Sequence, residues 1–353
     1  MVRGQLGGSG TWRTRHTALV AVAAAGAVAL LGAGQGTGTA AKRAQVTSIA
    51  IATPARANDY GWNQMGVAGA RAAAKTADAK LTVADGIGYD SVEPVLRRLA
   101  REGADLVIAH ASGFNALAPR VAQRESVPMI SYDNPKNLVP GLMSDIETSS
   151  QDGAYLAGVL AAKMSKTGKL GIVLSAADIN WFKQTGGFVA GARSVRTSSE
   201  FLFAIVGQAA YDDAAAGKRV ARSVIARGAD VLFGMGDGAS FGYLQAVETA
   251  KRKVWFIDVI GDKRPIDKKG VLLSSVLWDF TKVFQRAIAD IENGTYGKRF
   301  YTLGVNNGIS LLKTKHIPAA AWTVVEAARK RIAAGTVRVP LTPTKAAVDK
   351  ILG

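Results

Sequence analysis

Short apolar runs and helical patterns alternate along almost the whole chain, and this alternation limits the fold more than any other feature. The first unit is a nearly continuous apolar run over 48–53, which Pro54 closes before a helical pattern starts at Trp62. An apolar run without polar alternation is typical of a parallel strand that is buried on both faces. Because the pattern then repeats roughly every 25 to 30 residues, it predicts βαβ units with right-handed crossovers and parallel sheets.

The repeats fall into two similar series, which predicts an α/β protein with two lobes. A chain of 353 residues with 48% hydrophobic content is long and apolar enough to build a core in each. We expect the following division of the chain: lobe 1 over 45–145, lobe 2 over 146–260, a return to lobe 1 over 261–300, a return to lobe 2 over 301–330, and a C-terminal tail over 331–353. Such returns require several chain crossings, so the predicted fold is a clamp that closes around a ligand by hinge motion.

Residues 1–44 have the order of a secretory signal peptide. A positively charged start precedes an uncharged apolar run over 17–33 and a small, polar stretch over 34–41. Since about 20 apolar residues span a bilayer, an uncleaved anchor is the alternative. The approach to Gly34 resembles a lipoprotein box with glycine in place of the acylated cysteine, and the chain contains no cysteine. We therefore expect an exported protein, periplasmic or otherwise extracytoplasmic, that carries no lipid.

The charge balance is strongly basic, with 44 Lys and Arg against 27 Asp and Glu and a formal net charge of +17. Such a balance is compatible with nucleic acid as a partner, but the basic residues are scattered and no helix-turn-helix, zinc-finger or RNP pattern accompanies them. We therefore expect no nucleic-acid partner. Contact with anionic lipid or cell envelope and an ordinary solvated surface both remain open.

The motifs of enzymes and cofactor-binding proteins are missing from the sequence. His16, His110 and His316 are the histidines of the chain, and there is no H-E-x-x-H, G-x-S-x-G or paired Asp motif. The glycines of 234–238 follow a predicted strand, but the third comes too early for a dinucleotide fingerprint. We therefore expect no cofactor, no metal and no catalytic activity.

Acidic, amide and aromatic side chains recur near the carboxyl ends of the predicted strands, where open α/β sheets bind ligands. The candidate ligand-binding residues are Asp59, Trp62, Asn63, His110, Phe114, Asp133, Trp181, Phe182, Asp237, Asp258 and Trp278. Aromatic faces together with a few carboxylates describe a slot for a flat, neutral molecule that forms hydrogen bonds, and they disfavour a phosphorylated one. Two alternatives stay open at this level: Asp59 is a helix cap, and His110 is a hydrogen-bonded structural histidine.

Several segments, in their order along the chain, resemble the basic membrane protein (BMP/Med-like) family, the substrate-binding components of ABC transporters that include bacterial purine-nucleoside receptors. The similarity covers about 46–312. The segments that carry it are Asp-Tyr-Gly-Trp-Asn at 59–63, Gly-Ala-Asp-Leu-Val-Ile at 103–108, Tyr-Leu-Ala-Gly at 155–158, Ser-Lys-Thr-Gly-Lys-Leu-Gly at 165–171, Gly-Phe-Val-Ala-Gly-Ala-Arg at 187–193 and Gly-Ala-Asp-Val-Leu-Phe at 228–233.

The resemblance implies a type I periplasmic-binding-protein fold, in which two three-layer lobes with parallel sheets are joined by a three-strand hinge. It also implies a small-molecule ligand, an ABC permease in the inner membrane as partner, and ligand contacts from Asp59, Asn63 and Asp133. We expect a monomer that binds a purine nucleoside or nucleobase, with a sugar or autoinducer receptor as the alternative.

The chain departs from the purine-nucleoside receptors that it resembles at two places. Where those receptors have a Gly-Val-Asp strand end, this chain has Asp-Val-Ile-Gly-Asp over 258–262, so either Asp258 or Asp262 could face the ligand. Where they have a ligand-binding lysine, this chain has Leu277 and Trp278. Trp278 is therefore the residue that we expect to decide which ligand is bound.

Overall fold

The computed structural model describes residues 45–352; the predicted leader lies outside these residues. The strands are β1 (Ser48–Ala52), β2 (Lys80–Ala84), β3 (Leu106–Ala109), β4 (Met129–Tyr132), β5 (Met143–Thr148), β6 (Lys169–Leu174), β7 (Glu200–Ile205), β8 (Val231–Met235), β9 (Trp255–Ile260), β10 (Leu272–Trp278), β11 (Tyr301–Leu303) and β12 (Ile309–Leu311). The helices are α1 (Trp62–Thr76), α2 (Val92–Arg101), α3 (Ala118–Glu125), α4 (Ser150–Met164), α5 (Ile179–Val195), α6 (Ala214–Ala226), α7 (Ala239–Glu248), α8 (Thr281–Glu292), α9 (Ala319–Ala333) and α10 (Lys345–Leu352).

The strands form two sheets, one in each lobe. The first has the order β11-β5-β4-β3-β1-β2, and its paired strands are parallel. The second has the order β12-β10-β9-β8-β6-β7, in which β12 runs antiparallel to β10 and the other pairs are parallel. Parallel sheets place the carboxyl ends of their strands along one edge, so each lobe presents its strand ends and following loops together.

Each sheet is covered by helices on both faces, as the apolar character of its strands requires. Along β1, Ile49 and Ile51 contribute to one buried cluster while Ala50 and Ala52 contribute to another, because alternate side chains of a strand point to opposite faces. Helices α1 and α8 pack together on the first face, and α2 and α3 on the second. In the second lobe α4 packs against α5 and α9 on one face, and α6 packs against α7 on the other.

The chain crosses between the lobes three times: from β5 to α4, from β10 to α8, and from β11 to β12. These returns differ from the expected ones. Strand β5 lies wholly in the first sheet and was not predicted. Strand β10 belongs to the second sheet although 261–300 was expected to return to lobe 1. The later part of that segment does pack on the first lobe, through α8 and through the Tyr296 hydroxyl, which donates to the Met129 carbonyl oxygen at 2.6 Å. Strand β11 belongs to the first sheet and β12 to the second, although the whole of 301–330 was expected to return to lobe 2.

The C-terminal tail is fastened to the second lobe. Helix α10 packs on α5, the Thr342 hydroxyl donates to the Phe182 carbonyl oxygen at 2.7 Å, and Arg193 donates to the Ile351 carbonyl oxygen at 2.7 Å. Within residues 45–352 we find no helix with the length and apolar character needed to cross a membrane.

Candidate functional site

A cavity of about 540 Å³ lies between the two lobes, at the carboxyl ends of their strands. Its volume is within the range of roughly 300 to 1,000 Å³ that is usual for small-molecule pockets. Five aromatic side chains line it, and they are Trp62, Tyr89, Trp181, Tyr211 and Trp278. Three carboxylates and two amides also line it: Asp178, Asp212, Asp237, Asn63 and Asn180. The cavity can therefore hold a flat molecule between aromatic faces and hydrogen-bond its edges.

The turn before α1 positions the first of these residues through a buried carboxylate. Asp59 accepts hydrogen bonds from the backbone amides of Gly61, Asn63 and Gln64 at 2.9, 3.1 and 3.0 Å, and from the Asn63 side-chain amide at 2.7 Å. Asp59 is only 6% exposed and does not line the cavity. It serves as the cap of α1 and thereby orients Trp62 and Asn63, which do line the cavity.

We expect Asp59→Ala to lower the free energy of unfolding of the unliganded protein by about 2 kcal/mol, because four donors lose a charged acceptor and three of them are backbone amides at the start of a helix. Urea denaturation of the variant and its parent measures the difference. Asp90→Ala, at an exposed turn position before α2, is the control and should change stability by less than about 0.5 kcal/mol. An Asp59 variant as stable as its parent would contradict the capping role.

Trp62 is supported from behind by His110. The two rings stack with centroids 4.3 Å apart, and the Trp62 indole nitrogen donates to the His110 carbonyl oxygen at 2.9 Å. The Nε2 atom of His110 lies 2.9 Å from the Trp62 carbonyl oxygen, so Nε2 carries the proton and Nδ1 accepts from the Tyr132 hydroxyl at 2.6 Å. Burial lowers the pKa of His110 to about 4, which keeps the ring neutral. His110 therefore positions Trp62 without lining the cavity itself.

Asp133 links the two lobes at the edge of the cavity. It accepts hydrogen bonds from the Ser112 hydroxyl of the first lobe and from the Asn180 side-chain amide of the second, the latter at 2.9 Å. The Asn180 carbonyl oxygen in turn accepts from the Thr148 hydroxyl at 2.7 Å. Burial raises the pKa of Asp133 to about 6. Asp133 does not line the cavity, whereas Ser112 and Asn180 do.

The remaining predicted residues occupy two kinds of position. Trp181, Asp237 and Trp278 line the cavity, together with Trp62 and Asn63. The others do not line it: Phe114 is buried behind Tyr89 with ring centroids 5.6 Å apart, Phe182 is buried in α5, and Asp258 is buried beside Lys263.

Neither Asp258 nor Asp262 faces the cavity. Asp258 is fully buried and forms an ion pair of 3.0 Å with Lys263, while Asp262 pairs with Arg264 on the surface. Between them, Ile260 lines the cavity at the end of β9. This part of the cavity wall is therefore apolar.

The lobes touch directly beside the cavity, and most of these contacts converge on the turn before α1. The Lys263 ammonium of the second lobe donates to the Tyr60 carbonyl oxygen of the first at 2.6 Å. The Trp62 amide donates to Asp237 at 3.2 Å, and the rings of Tyr60 and Phe241 meet edge to face at 6.3 Å. The lobes are therefore held in a closed arrangement around the cavity.

The pKa of Asp237 is unusually high for a carboxyl group. Burial, with the negative charge of Asp59 second, raises the pKa of Asp237 from 3.8 to about 8. Burial, followed by the negative charges of Asp237, Asp178 and Asp212, raises the pKa of Tyr89 to about 12. Since the folded protein holds the Asp237 proton over a range in which the unfolded chain has lost it, this carboxyl destabilises the fold progressively between about pH 4 and pH 8.

We expect Asp237→Asn to be more stable than its parent by roughly 1 to 3 kcal/mol at about pH 8 and nearly equal to it at about pH 4, because asparagine keeps the acceptor for the Trp62 amide and carries no charge. Thermal denaturation of the unliganded proteins across this pH range tests it. Asp349→Asn, on the exposed face of α10, should show a nearly constant difference. A gain for Asp237→Asn that is independent of pH would contradict the raised pKa.

A comparison at the level of sequence families identifies the chain independently of its structure. The family of PnrA-like ABC transporter substrate-binding proteins, named Bmp, matches residues 46–340. The chain belongs to the Bmp family. The resemblance seen in the short segments of the sequence is thereby confirmed over most of the chain.

Two curated relatives of the chain carry different functional names. The chain is 30% identical over 223 residues to the ABC transporter nucleoside-binding protein BmpA of Lactococcus lactis, a match that covers 58% of this chain and 61% of that protein, less than two thirds of its length. It is 21% identical over 270 residues to the transcriptional activator protein med of Bacillus subtilis, covering 76% of this chain and 82% of the relative.

Solved structures confirm the predicted fold. An ABC transporter solute-binding protein from Conexibacter woesei has a TM-score of 0.71 at 24% identity, covering 84% of this chain and 99% of that one. A second from Aeropyrum pernix has a TM-score of 0.72 at 18% identity, covering 86% and 96%. This Bmp protein therefore has the two-lobed α/β architecture that the alternation of its elements predicted, in the periplasmic-binding form that the family resemblance implied.

Some cavity residues were missed by the sequence interpretation: Tyr89, Asp178, Asn180, Tyr211 and Asp212. Each follows the carboxyl end of a strand, as the predicted residues do. Tyr89 comes after β2, Asp178 and Asn180 after β6, and the other two after β7. The same rule, applied to every predicted strand, would have found them.

Proposed function

We propose that this protein is the solute-binding receptor of an ABC importer and that it captures a purine nucleoside or nucleobase between its lobes. The observation that carries the proposal is a cavity with aromatic walls and carboxylate edges whose lining contains no Lys, Arg or His. Aromatic faces stack on bases with about 1 to 3 kcal/mol per base, and carboxylates accept hydrogen bonds from ring N–H, amino or ribose hydroxyl groups. The nucleoside-binding name of the Lactococcus lactis relative supports this ligand class.

Capture proceeds by closure of the two lobes around the three crossings. Ligand binds to the strand ends of one lobe and shifts a population of open and closed forms toward the closed one. The closed form then docks on a permease in the membrane, which receives the ligand. We propose that the protein acts outside the cytoplasmic membrane as a monomer and performs no chemistry on its ligand.

A thermal-shift panel of nucleosides, nucleobases and sugars tests the proposed function. A ligand present at about 100 times its dissociation constant adds about 2.7 kcal/mol to the stability of the folded state. We expect purine nucleosides or bases to raise the melting temperature, with sugars and autoinducers as the comparison set. Stabilisation by a sugar alone would favour the alternative receptor class, in which Trp62 and Trp278 stack on a pyranose.

A matched pair of aromatic substitutions tests whether the ligand binds in the cavity. We expect Tyr89→Ala to weaken nucleoside binding about tenfold, since it removes a stacking face from the cavity. Phe300→Ala is the control, because Phe300 is also an exposed aromatic, at 44% against 54% for Tyr89, but does not line the cavity. Isothermal titration measures both affinities, and equal losses in the two variants would place the ligand elsewhere.

A further inference from the structure

The two lobes contribute different chemistry to the cavity. The first lobe contributes aromatic, amide, hydroxyl and small residues without a charge, whereas the second contributes Asp178, Asp212 and Asp237. Within residues 45–352, no group of three or more acidic, His or Cys side chains is arranged to hold a metal ion. We therefore look to the ligand for the group that binds these three carboxyl side chains.

Two of these carboxylates are held in place and keep one oxygen unused. Oδ1 of Asp237 accepts from the Trp62 amide at 3.2 Å, and Oδ1 of Asp212 accepts from the Gly238 amide at 3.1 Å. Neither Oδ2 atom receives a hydrogen bond from the described part of the chain. Because Asp237 and Gly238 are adjacent, these bonds also hold the two carboxylates near each other. Asp212 presents an acceptor to a ligand N–H group directly, and Asp237 presents one when binding of such a group displaces the proton that its carboxyl otherwise holds.

At another part of the cavity wall, Trp278 has an unused hydrogen-bond donor. It lines the cavity, its side chain is fully buried, and its indole Nε1–H finds no acceptor among residues 45–352. The other cavity tryptophans differ, because Trp62 donates to the His110 carbonyl oxygen at 2.9 Å and Trp181 to the Ser175 hydroxyl at 3.1 Å. A buried donor without a partner costs about 1 to 3 kcal/mol. A ligand acceptor that meets the Trp278 N–H recovers this loss.

We infer that the ligand is an amino-bearing purine, whose N–H donors are held by Asp237 and Asp212 while one of its ring nitrogens accepts a hydrogen bond from Trp278. The inference rests on the proposed function and narrows it to one class of nucleoside or base. Trp278 is thus a specificity-determining residue rather than only a stacking surface. Anionic derivatives are excluded, since a phosphate group in this cavity meets carboxylates and no Lys or Arg side chain.

The role of Trp278 is tested by a set of ring-nitrogen analogues. Adenosine and its 1-deaza, 3-deaza and 7-deaza analogues are titrated into the parent and into Trp278→Phe, which keeps a flat ring and removes the N–H. In the parent, one of the three analogues should bind about tenfold more weakly than adenosine. In Trp278→Phe that difference should disappear, while the other two analogues keep their ratio to adenosine.

The role of the carboxylates is tested by removing the amino group. Purine riboside differs from adenosine only in lacking the 6-amino group, and the parent should bind it about tenfold more weakly. In Asp237→Asn, the Trp62 amide retains the carbonyl oxygen and the side-chain NH₂ replaces the free oxygen, so the preference for adenosine should be lost. Adenosine monophosphate should bind the parent at least about 100-fold more weakly than adenosine.

Three outcomes overturn the inference while leaving the proposed function intact: equal binding of all deaza analogues, an equal loss for every ligand in Trp278→Phe, or equal binding of adenosine and purine riboside. The analogue series on the parent protein decides the question even when Trp278→Phe does not fold. If no nucleoside or nucleobase stabilises the parent, the proposed function itself is contradicted and the inference falls with it.

Discussion

Replacing Lys263 with methionine is expected to remove about 3 to 5 kcal/mol from the free energy of unfolding. The Lys263 ammonium is 1% exposed and forms a 3.0 Å ion pair with Asp258, which is fully buried. Without the lysine, Asp258 becomes an uncompensated charge in the core, or must take up a proton. Burial already raises the pKa of Asp258, and Lys263 is the strongest influence that opposes this rise.

The companion double variant, Lys263→Met with Asp258→Leu, is expected to recover most of the lost stability. Replacing a buried ion pair by apolar residues of similar volume is often neutral, because no charge has to be removed from water. The Ser240 hydroxyl, which donates to Asp258, also bonds to the Gly236 carbonyl oxygen, so it keeps a partner in the double variant.

Urea denaturation of both variants measures how much the buried ion pair contributes to the free energy of unfolding. Lys345→Met is the control, because Lys345 pairs with Asp349 at 2.7 Å on the surface and exposed pairs contribute about 0 to 1 kcal/mol. A loss for Lys263→Met no larger than that of the control would contradict the prediction. Failure of the double variant to recover would show that the lysine acts mainly through Tyr60 and Val259, whose carbonyl oxygens also accept from it.

Gly261→Ala is expected to weaken ligand binding at least about 100-fold while changing the stability of the unliganded protein by less than about 1 kcal/mol. Gly261 lies against the Tyr60 carbonyl in the closed arrangement, and an added Cβ would overlap that oxygen. Tyr60 belongs to the other lobe, so the clash exists only when the lobes are closed. The alanine therefore opposes closure without disturbing either core.

Gly304→Ala is the matched control for this prediction. It lies on the third crossing, and its added Cβ would meet the Ser149 side chain at 3.6 Å, an ordinary contact distance. Isothermal titration with the tightest ligand of the panel and thermal denaturation without ligand are measured on both variants. Equal affinities for the parent and Gly261→Ala would show that ligand is bound without closure. A large loss of unliganded stability would instead show that this contact belongs to the fold.

The fold was predictable because its strands are buried on both faces and its helices follow them at regular intervals. The strands that were not predicted correctly either mix charged residues with apolar ones or are too short to show a pattern. Strand β5 contains Asp145 and Glu147, so it does not have the apolar character of its neighbours. Strands β11 and β12 have three residues each, which is too short for a pattern, so the sequence does not show that they belong to different sheets.

The cavity was predictable as a place but not residue by residue. The position after each strand is set by topology, whereas the direction of each side chain is set by packing that the sequence does not display. Asp59 follows the end of β1 and Asp237 follows the end of β8. The Asp59 side chain nevertheless turns back to cap α1, whereas Asp237 reaches the cavity. Asp258 could not be recognised as a structural residue, since its partner Lys263 is identified only by burial and distance.

The three tryptophans around the cavity also give the protein an optical signal of its own. The chain contains six tryptophans, and Trp62, Trp181 and Trp278 line the place where ligand is proposed to bind. Trp255 and Trp322 lie outside the cavity and are partly exposed, so they supply a steady background emission. Intrinsic fluorescence can therefore follow occupancy of the cavity in unlabelled protein, and stopped-flow mixing can time the arrival of ligand.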